Sequence, residues 1–336
     1  TRRRPSRPPD DRPGRDAELP EHELEGLRLS PVDRPAGETA GASSRRLAVP
    51  ERIGPYRLLE RLGAGATGEV FKALHDTLQR PAAIKLMAPE LAASRENVER
   101  FLREARVVSS LRHPNIVLVF DAGESQGRYY IAMEFIEGES LARCLERKGP
   151  LNEDEALLLL TQSLMGLDAA HTKGLVHRDI KPENMLLDLS GRLHIADFGL
   201  VMETATATTL TVSGKVMGTP QYISPELADG EKPDARCDLY SLGVTFYEVL
   251  TGELPFKAPT AMSLLFKHKY QKPVPPNKLR PQLSDGANRL ILWLMGKHPE
   301  DRPKSAEAAL QMVAALRRGE KIPPPPIPRM TMRAEA

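Results

Sequence analysis

The sequence is poor in cysteine and in aromatic residues. Its 336 residues include two cysteines and one tryptophan, and Phe, Tyr and Trp together make up 5%. Cys144 and Cys237 stand far apart and lack metal-ligand spacing, which excludes a disulfide framework and a cysteine-held zinc site. We therefore expect both thiols to be buried structural residues and the protein to be cytoplasmic.

The sequence also lacks a charge excess and a long apolar run. Lys and Arg number 47 against 45 Asp and Glu, so a net charge of +2 does not favour nucleic acid or an anionic membrane as the main partner. No apolar run approaches the roughly 18–20 residues that span a bilayer, and no signal-peptide pattern opens the chain. Since the first residue is Thr1, we expect the chain to be a fragment or a processed form of a longer protein.

Both ends of the chain are predicted to be disordered. Residues 1–50 contain many prolines and no Phe, Tyr or Trp, and four prolines follow one another at 323–326. Such segments bury too little apolar surface to offset the entropy of ordering. We assign 1–53 and 319–336 as tails or linkers, with a plain spacer favoured over a docking peptide, and residues 54–318 as one folded block.

Two different periodicities divide this block. Residues 54–137 contain five strand-like runs, "YRLLERLG", "GEVFKALH", "RPAAIKLM", "IVLVFDAG" and "YYIAMEFI", and one helical segment, "RENVERFLREARVVSSLR". Residues 138–318 are mainly helical; one helix begins at Asn152, which has capping-box spacing to Glu155, and another is closed by Gly252. The pattern predicts an α+β, bilobal fold with a small five-stranded antiparallel lobe and a larger α-helical lobe.

The stretch "LGAGATGEV" contains a G-x-G-x-x-G run at Gly63, Gly65 and Gly68. Glycines let backbone amides approach phosphate oxygens, but the same residues also make an ordinary tight turn. The residues that follow alternate as a strand, whereas a dinucleotide-binding motif would begin a helix here. We therefore predict a loop at the tip of a β-hairpin, and the run alone does not choose between a phosphate-binding loop and a plain turn.

Downstream, "AAIK" places Lys85 at the end of an apolar strand, and Glu104 follows 19 residues later in the predicted helix. A lone lysine in a strand is usually a solvated charge. A lysine held by a carboxylate is, however, what fixes an ammonium against the α- and β-phosphates of a nucleotide. The Lys85–Glu104 pairing is therefore a candidate nucleotide contact.

The most specific signal is "HRDIKPEN" followed by "DFG". Asp179 can accept the proton of an attacking hydroxyl, and Lys181 can neutralise a migrating phosphoryl group. Asn184 and Asp197 supply the oxygen ligands that Mg²⁺ prefers, and the hairpin predicted between them would bring them together. We assign His177 a packing role instead of a catalytic one.

These motifs together resemble the eukaryotic-type (Hanks-type) protein kinase domain, in the style of bacterial serine/threonine kinases. The resemblance covers Tyr56 to about Leu316 and includes "GTPQYISPE", "DLYSLG" and "PEDRP", with Ser224 in place of the usual alanine. It implies transfer of the γ-phosphoryl group of ATP, with Mg²⁺, to Ser or Thr hydroxyls of proteins, catalysed by Asp179, Lys181, Lys85 and Glu104. It also implies that ATP is contacted by Leu62, Gly63, Ala64, Gly65, Ala66, Thr67, Gly68, Val70, Ala83, Lys85, Met133, Glu134, Ile136 and Leu186.

The resemblance further implies three structural residues. Glu226 and Arg302 are expected to form a buried ion pair, and Asp238 is expected to support the catalytic loop from below. A serine/threonine specificity is expected from Lys181, two residues after Asp179, together with Thr219 in "GTP". Partners would be ATP and protein substrates, with no nucleic acid and no membrane span.

Regulation is predicted from the threonine-rich segment "ETATATTLTVSGKVMGTP". Its composition alone fits a solvated loop. Arg178 beside the catalytic aspartate, however, could bind a phosphate that orders this loop. Thr211 and Ser213 are the predicted phosphorylation sites, Thr209 is the reserve, and a dimer would allow phosphorylation in trans.

Two other functions compete with an active kinase: a pseudokinase that acts as a signalling scaffold, and a small-molecule phosphotransferase of similar fold. Lys85, Asp179 and Asp197 are all present, which disfavours the scaffold. The segment "GTPQYISPE" resembles one that presents a peptide, which disfavours the small-molecule enzyme. An active protein kinase is the hypothesis that we test against the structure.

Overall fold

A computed structural model describes residues 50–198 and 220–324. Its N-terminal lobe is built on an antiparallel sheet in the order β1-β2-β3-β4-β6-β5. The strands are β1 Arg52–Ile53, β2 Tyr56–Gly65, β3 Gly68–His75, β4 Arg80–Met87, β5 Val119–Ser125 and β6 Arg128–Glu134. The five predicted strands are therefore confirmed as β2–β6. The two-residue β1 is an addition, too short to show a periodicity of its own.

The predicted hairpin joins β2 to β3. Gly65 faces Gly68 at its tip, and Gly68 has a φ of 144°. A Cβ at Gly68 would lie 1.8 Å from the Leu86 carbonyl oxygen on β4, so only glycine fits at this position next to β4. The hairpin tip is thus held close to the strand that carries Lys85.

Helix α2, Arg95–Ser109, packs on one face of this sheet. The Ser94 side chain accepts a hydrogen bond from the Asn97 N–H and caps its start. Its buried residues Phe101 and Ala105 belong to a hydrophobic cluster that also contains Ile131 and Met133 of β6. This packing fixes the helix that carries Glu104 beside the strands that carry the candidate nucleotide site.

The C-terminal lobe is helical. Its central helix α4, Glu153–Thr172, has the predicted capping box between Asn152 and Glu155 and is buried on almost every side. Helix α6, Arg236–Thr251, ends as predicted at Gly252, with a φ of 76°. The remaining helices are α1 Pro89–Ala92, between β4 and α2, and α3 Leu141–Lys148, α5 Pro225–Ala228, α7 Ala261–Tyr270, α8 Pro276–Leu279, α9 Asp285–Leu294 and α10 Ala306–Arg317.

A second, three-stranded sheet lies between the lobes. Strands β7 Gly138–Ser140, β8 Met185–Asp188 and β9 Leu193–Ile195 pair antiparallel in that order. The predicted hairpin between Asn184 and Asp197 is therefore present as β8–β9. A main-chain bond from the Val117 N–H to the Ile195 carbonyl, 2.9 Å, ties this sheet to the segment that enters β5.

The packed structure extends slightly beyond residues 54–318 at both ends. Strand β1 precedes residue 54, and Ile322 is buried against the C-terminal core. The Ile322 carbonyl also accepts a hydrogen bond from Arg289 at 3.1 Å. Strand β1 and Ile322, which the predicted bounds left out, are therefore part of the described fold.

Candidate active site

The segment that carries Asp179 runs from the end of α4 to the start of β8. Lys181 Nζ lies 2.7 Å from Asp179 Oδ2, and Asn184 Nδ2 lies 3.0 Å from the same oxygen. Asn184 Nδ2 also donates to the Asp179 carbonyl at 2.8 Å. The structure thus brings Asp179, Lys181 and Asn184 into one hydrogen-bonded group, with the carboxylate oriented by two donors.

Asp238 of α6 holds this loop from below. Its Oδ2 accepts from the His177 N–H at 2.8 Å, and its Oδ1 accepts from the Arg178 N–H at 2.7 Å. His171 Nε2 lies 2.8 Å from Oδ2. Burial alone would raise the pKa of the Asp238 carboxyl, but the hydrogen bond from His171 and the other histidine contacts hold that pKa below its usual value. The expected supporting contact is therefore present.

Two residues of the site have a left-handed backbone. Arg178 has a φ of 69° and Asp197 a φ of 60°. A non-glycine residue in this region costs on the order of 1–3 kcal/mol and persists only where neighbouring contacts impose it. At Arg178 the bond from its N–H to Asp238 is such a contact. The strain therefore sits directly beside Asp179 and at the candidate metal ligand.

Asp197 is joined to the catalytic loop through its neighbours. The Ala196 N–H donates to the Asn184 carbonyl at 2.8 Å, and His177 Nε2 lies 2.9 Å from the Ala196 carbonyl. The His177 ring also packs edge-on against Phe198, with 4.6 Å between ring centroids. His177 therefore has the structural role that the sequence indicated, and it links the two motifs.

Lys85 is buried and reaches the same site from β4. Its Nζ lies 2.9 Å from Asp197 Oδ2, and its side chain is 5% exposed. Glu104, its predicted partner, lines a small cavity between α2 and the glycine hairpin, together with Thr67 and Phe101. The ion pair formed by Lys85 in the structure thus joins it to the candidate metal ligand, and the Lys85–Glu104 pair stays a prediction.

The residues predicted to contact adenine fall mostly in one apolar cluster. Ala83 and Met133 are buried members of it, and Val70, Ile136 and Leu186 pack against it. Leu62 is 46% exposed at the open edge of β2. Four residues from the N-terminal lobe and one from β8 thus form a surface between the lobes that suits a flat apolar ring.

One backbone group beside this cluster already has a hydrogen-bond partner within the protein. The Glu134 N–H donates to the Leu118 carbonyl at 2.8 Å.

Nothing lies within 4 Å of the position that a Cβ would take on Gly63 or Gly65. At these two glycines the hairpin borders open space, as a loop that covers phosphates requires.

Several supporting residues were not foreseen from the sequence. Gln162 Oε1 accepts from the Leu193 N–H at 2.7 Å and from Asn115 Nδ2 at 3.2 Å. Asn115 Nδ2 also donates to the Leu193 carbonyl at 2.8 Å. These buried amides hold the β8–β9 hairpin, and His171 holds Asp238. The one available signal was the polar character of Gln162 and His171 on a helix rich in leucine.

The residues present fit a magnesium ion that is shared with phosphates. The described hydrogen bonds of the Asn184 side chain use Nδ2, which leaves its Oδ1 as an oxygen donor. The Asp197 carboxylate is the second oxygen donor, on the residue after Ala196, whose N–H bonds the Asn184 carbonyl. Across residues 50–198 and 220–324, no group of three or more His, Cys, Asp and Glu is arranged to hold a metal. Mg²⁺ is commonly held by one or two protein ligands, with phosphates and water completing its shell, so this donor set is sufficient.

Some predicted residues fall outside the described ranges. These are Gly199 of the "DFG" motif, the candidate phosphorylation sites Thr209, Thr211 and Ser213, and Thr219. The end of the same segment is described. Its Tyr222 hydroxyl donates to Glu248 Oε2 at 2.6 Å.

The expected buried ion pair is also present. Arg302 NH1 and NH2 donate to the two carboxylate oxygens of Glu226, each at 2.7 Å. Arg302 makes further bonds to the carbonyls of Gly296, Arg236 and Lys297. The pair ties α5, which follows the predicted substrate segment, to the loop before α10.

A model of the protein kinase domain matches residues 56–313. The chain therefore belongs to the protein kinase family, which uses ATP and in general Mg²⁺. Its fold, with a curled antiparallel sheet and a helical lobe, is the fold of that family. The part of the chain that the structure describes contains no helix long and apolar enough to cross a bilayer.

Among relatives, the chain is 39% identical over 263 residues to the serine/threonine-protein kinase pkn3 of Myxococcus xanthus, a match that covers 75% of this chain and 48% of the relative. It is 40% identical over 277 residues to PknA of Mycobacterium tuberculosis, covering 81% and 63%. The crystal structure of the M. tuberculosis PknI kinase domain superposes with a TM-score of 0.64 at 28% identity, covering 80% and 99%. The chain thus spans about half the length of the curated relatives that it matches.

Proposed function

We propose that this protein is an ATP-dependent serine/threonine protein kinase that transfers the γ-phosphoryl group of Mg-ATP to Ser and Thr hydroxyls of other proteins. The observation that carries the proposal is the group formed by Asp179, Lys181 and Asn184 opposite the Lys85–Asp197 pair. A pseudokinase scaffold would have no need for this group of polar residues. The names of its relatives as serine/threonine kinases support the same class of reaction.

Asp179 is proposed to accept the proton of the attacking hydroxyl. Its Oδ2 already accepts from Lys181 and Asn184, so its free lone pairs are aimed by these two donors. Lys181 is close enough to Asp179 to bring a positive charge to the phosphoryl group that develops negative charge. Asn184 thereby orients the base through Nδ2 and offers Oδ1 to the metal.

Mg-ATP would be held by residues from both lobes. When bound, it supplies the phosphoryl group and the cation that neutralises the phosphates. Lys85 is proposed to contact the α- and β-phosphates, Asp197 and Asn184 to hold Mg²⁺, and the cluster around Ala83 and Met133 to enclose the adenine. Glu104 is proposed to position Lys85.

The proposal is tested with Asp179→Asn. This change keeps the shape of the side chain and removes the proton acceptor, so turnover with a generic Ser/Thr protein substrate and radiolabelled ATP should fall by roughly 10²–10⁴-fold. Binding of ATP and the urea midpoint should stay near the parent values. Asp154→Asn, at an exposed position on the first turn of α4, is the matched control. Equal turnover of the Asp179→Asn enzyme and the parent would exclude this base, and an inactive parent would favour the scaffold function.

We also propose that the kinase phosphorylates itself at Thr211 or Ser213, with Thr209 as the reserve site. Supporting this, Arg178 lies next to the catalytic aspartate and its backbone is fixed by Asp238. A phosphate bound by its guanidinium would gain charge-assisted hydrogen bonds. Mass spectrometry after incubation with Mg-ATP should find phosphate there, and a Thr211→Ala/Ser213→Ala variant should lose much of its activity toward other proteins.

The test also separates two routes of autophosphorylation. A reaction in trans, through a transient dimer, gives a rate per molecule that rises with protein concentration, whereas a reaction in cis does not. Mixing the Asp179→Asn chain with the parent should phosphorylate the inactive chain if the route is in trans. No phosphate anywhere between 204 and 213 would refute the assignment.

A further inference from the structure

Helix α7 exposes an apolar face to solvent. Met262, Phe266 and Tyr270 lie four residues apart, so their side chains share one side of the helix, and they are 51%, 61% and 62% exposed. The Phe266 and Tyr270 rings are in contact, with 4.7 Å between centroids. Val274, 49% exposed, follows in the next segment. Grouped exposed apolar residues of this kind mark interaction sites.

The opposite side of α7 is firmly anchored. Leu264, Leu265 and His268 are buried, and His268 Nδ1 lies 3.0 Å from the Tyr240 hydroxyl of α6. Lys269 forms an ion pair with Asp229 at the end of α5. The helix therefore cannot turn its apolar face inward, and the exposed rings are presented on a rigid support.

The stretch of sequence that contains this face is basic. Residues 254–284 contain Lys257, Lys267, Lys269, Lys272, Lys278 and Arg280 but no Asp or Glu. Glu253 and Asp229 pair with Lys257 and Lys269, while Lys272 and Lys278 are exposed. A fitting partner therefore carries carboxylates together with apolar side chains.

The chain itself contains a segment of this chemistry. Residues 16–27, "DAELPEHELEGL", hold five carboxylates and three leucines and no Lys or Arg. We propose that this acidic, leucine-bearing segment docks on the apolar, basic face of α7, with its leucines against Phe266 and Tyr270 and its carboxylates toward the lysines around them. This inference goes beyond catalysis and does not depend on the chain being active.

The connection is long enough for this contact within one chain. Residues 28–49 separate the segment from the described part, and 22 residues can extend over roughly 70 Å. A domain of this size has a radius of gyration of only about 18 Å, so the extended length of the connection exceeds the distance across the domain. Such a tether makes the contact intramolecular, so that it needs less affinity than a contact between separate chains.

Zero-length carbodiimide cross-linking of the full chain tests the proposal, because the reagent joins carboxylates to lysine amines that touch. Mass spectrometry should find links from Glu18, Glu21, Glu23 or Glu25 to Lys267, Lys272 or Lys278. In Phe266→Ser/Tyr270→Ser their yield should fall by about tenfold or more, since the two rings supply most of the apolar contact. The matched control is Leu78→Ser/Leu189→Ser, which removes exposed leucines elsewhere and should leave the yield unchanged.

The experiment is run on an equal mixture of ¹⁵N-labelled and unlabelled full chains. Links within chains of one isotope support docking by the chain's own segment. Links between isotopes in the statistical proportion would overturn it in favour of a second copy. Links spread over all exposed lysines, or an unchanged yield in the Phe266→Ser/Tyr270→Ser variant, would also overturn it. Because no activity is measured, the result is independent of the proposed phosphoryl transfer.

Discussion

Replacing Asp238 by Asn should lower activity by misplacing the catalytic loop, although no residue of the loop itself is changed. The carboxylate is fully buried and accepts from the His177 and Arg178 N–H groups and from His171. An asparagine keeps one acceptor oxygen and turns the other into a donor. Whichever way the amide is placed, it points this donor at the main-chain N–H of His177 or of Arg178.

The size of the effect on stability follows from the number of hydrogen bonds that are lost. At least one buried N–H loses its acceptor, which costs about 1–3 kcal/mol, and the surviving bond is no longer charge-assisted. We expect the free energy of unfolding to fall by about 2–4 kcal/mol, a large part of the 5–15 kcal/mol typical of a domain. In either placement the bond that supports the φ of 69° at Arg178 is lost or weakened, so Asp179 shifts, and a misplacement of about 1 Å costs on the order of 10²-fold in turnover.

The assay combines urea unfolding with steady-state kinetics in which ATP and a protein substrate are varied separately. The Michaelis constant for ATP should change little, because the adenine cluster lies mainly in the N-terminal lobe. Asp234→Asn is the control, since that carboxylate is 51% exposed and pairs with nearby Arg236. If Asp238→Asn unfolds within about 0.5 kcal/mol of the parent and turns over at the same rate, the supporting role is wrong.

Three further outcomes are expected. Lys85→Met removes an ammonium 2.9 Å from Asp197 and should lower kcat/KM by roughly 10²–10³-fold with an unchanged urea midpoint; near-normal activity at saturating Mg²⁺ would contradict this. Glu226→Ala leaves the Arg302 cation buried without its carboxylate and should lower the free energy of unfolding, measured in urea, by about 3–5 kcal/mol. The same change at an exposed glutamate should lower it by less than about 0.5 kcal/mol. Burial, and then the charge of Lys297, lower the pKa of His268 to about 3, so that this ring is neutral in the fold while the unfolded chain takes up a proton below about pH 6.5. The free energy of unfolding should therefore decrease as the pH falls from 7.5 to 5, by about 2 kcal/mol more in the parent than in His268→Asn. If the two proteins give parallel curves of unfolding free energy against pH, this histidine does not contribute.

The features that could be predicted are those that depend on residues close together in the sequence. The capping box at Asn152 and Glu155 fixes where α4 begins, and Gly65 and Gly68 fix the tip of the first hairpin, because the contacts involved are only three residues apart. The same holds for the β8–β9 hairpin, which was expected because only thirteen positions separate Asn184 from Asp197. For the site, spacing and family resemblance together named the group around Asp179.

Contacts between distant segments could not be read in the same way. The bond from Asn115 to Leu193 joins residues 78 positions apart, and nothing in either local pattern specifies the other. The Lys85–Asp197 ion pair is a second example, since it joins residues 112 positions apart and neither local pattern specifies the other. The left-handed backbone at Arg178 and Asp197 is a third, because it is imposed by surrounding bonds and not by residue type.

The order of strands in the first sheet has a consequence for synthesis on the ribosome. Strands β1 to β4 form a meander that can pair as soon as it emerges, but the next partner of β4 is β6, which ends at Glu134. Strand β6 ends 47 residues after the end of β4 at Met87, and at about 5–20 residues per second these residues take roughly 2–9 s to synthesise. During that interval the edge of β4 stays open to strand pairing with other chains. The nascent N-terminal lobe is therefore the stage at which this protein is most exposed to aggregation and at which a chaperone has most to protect.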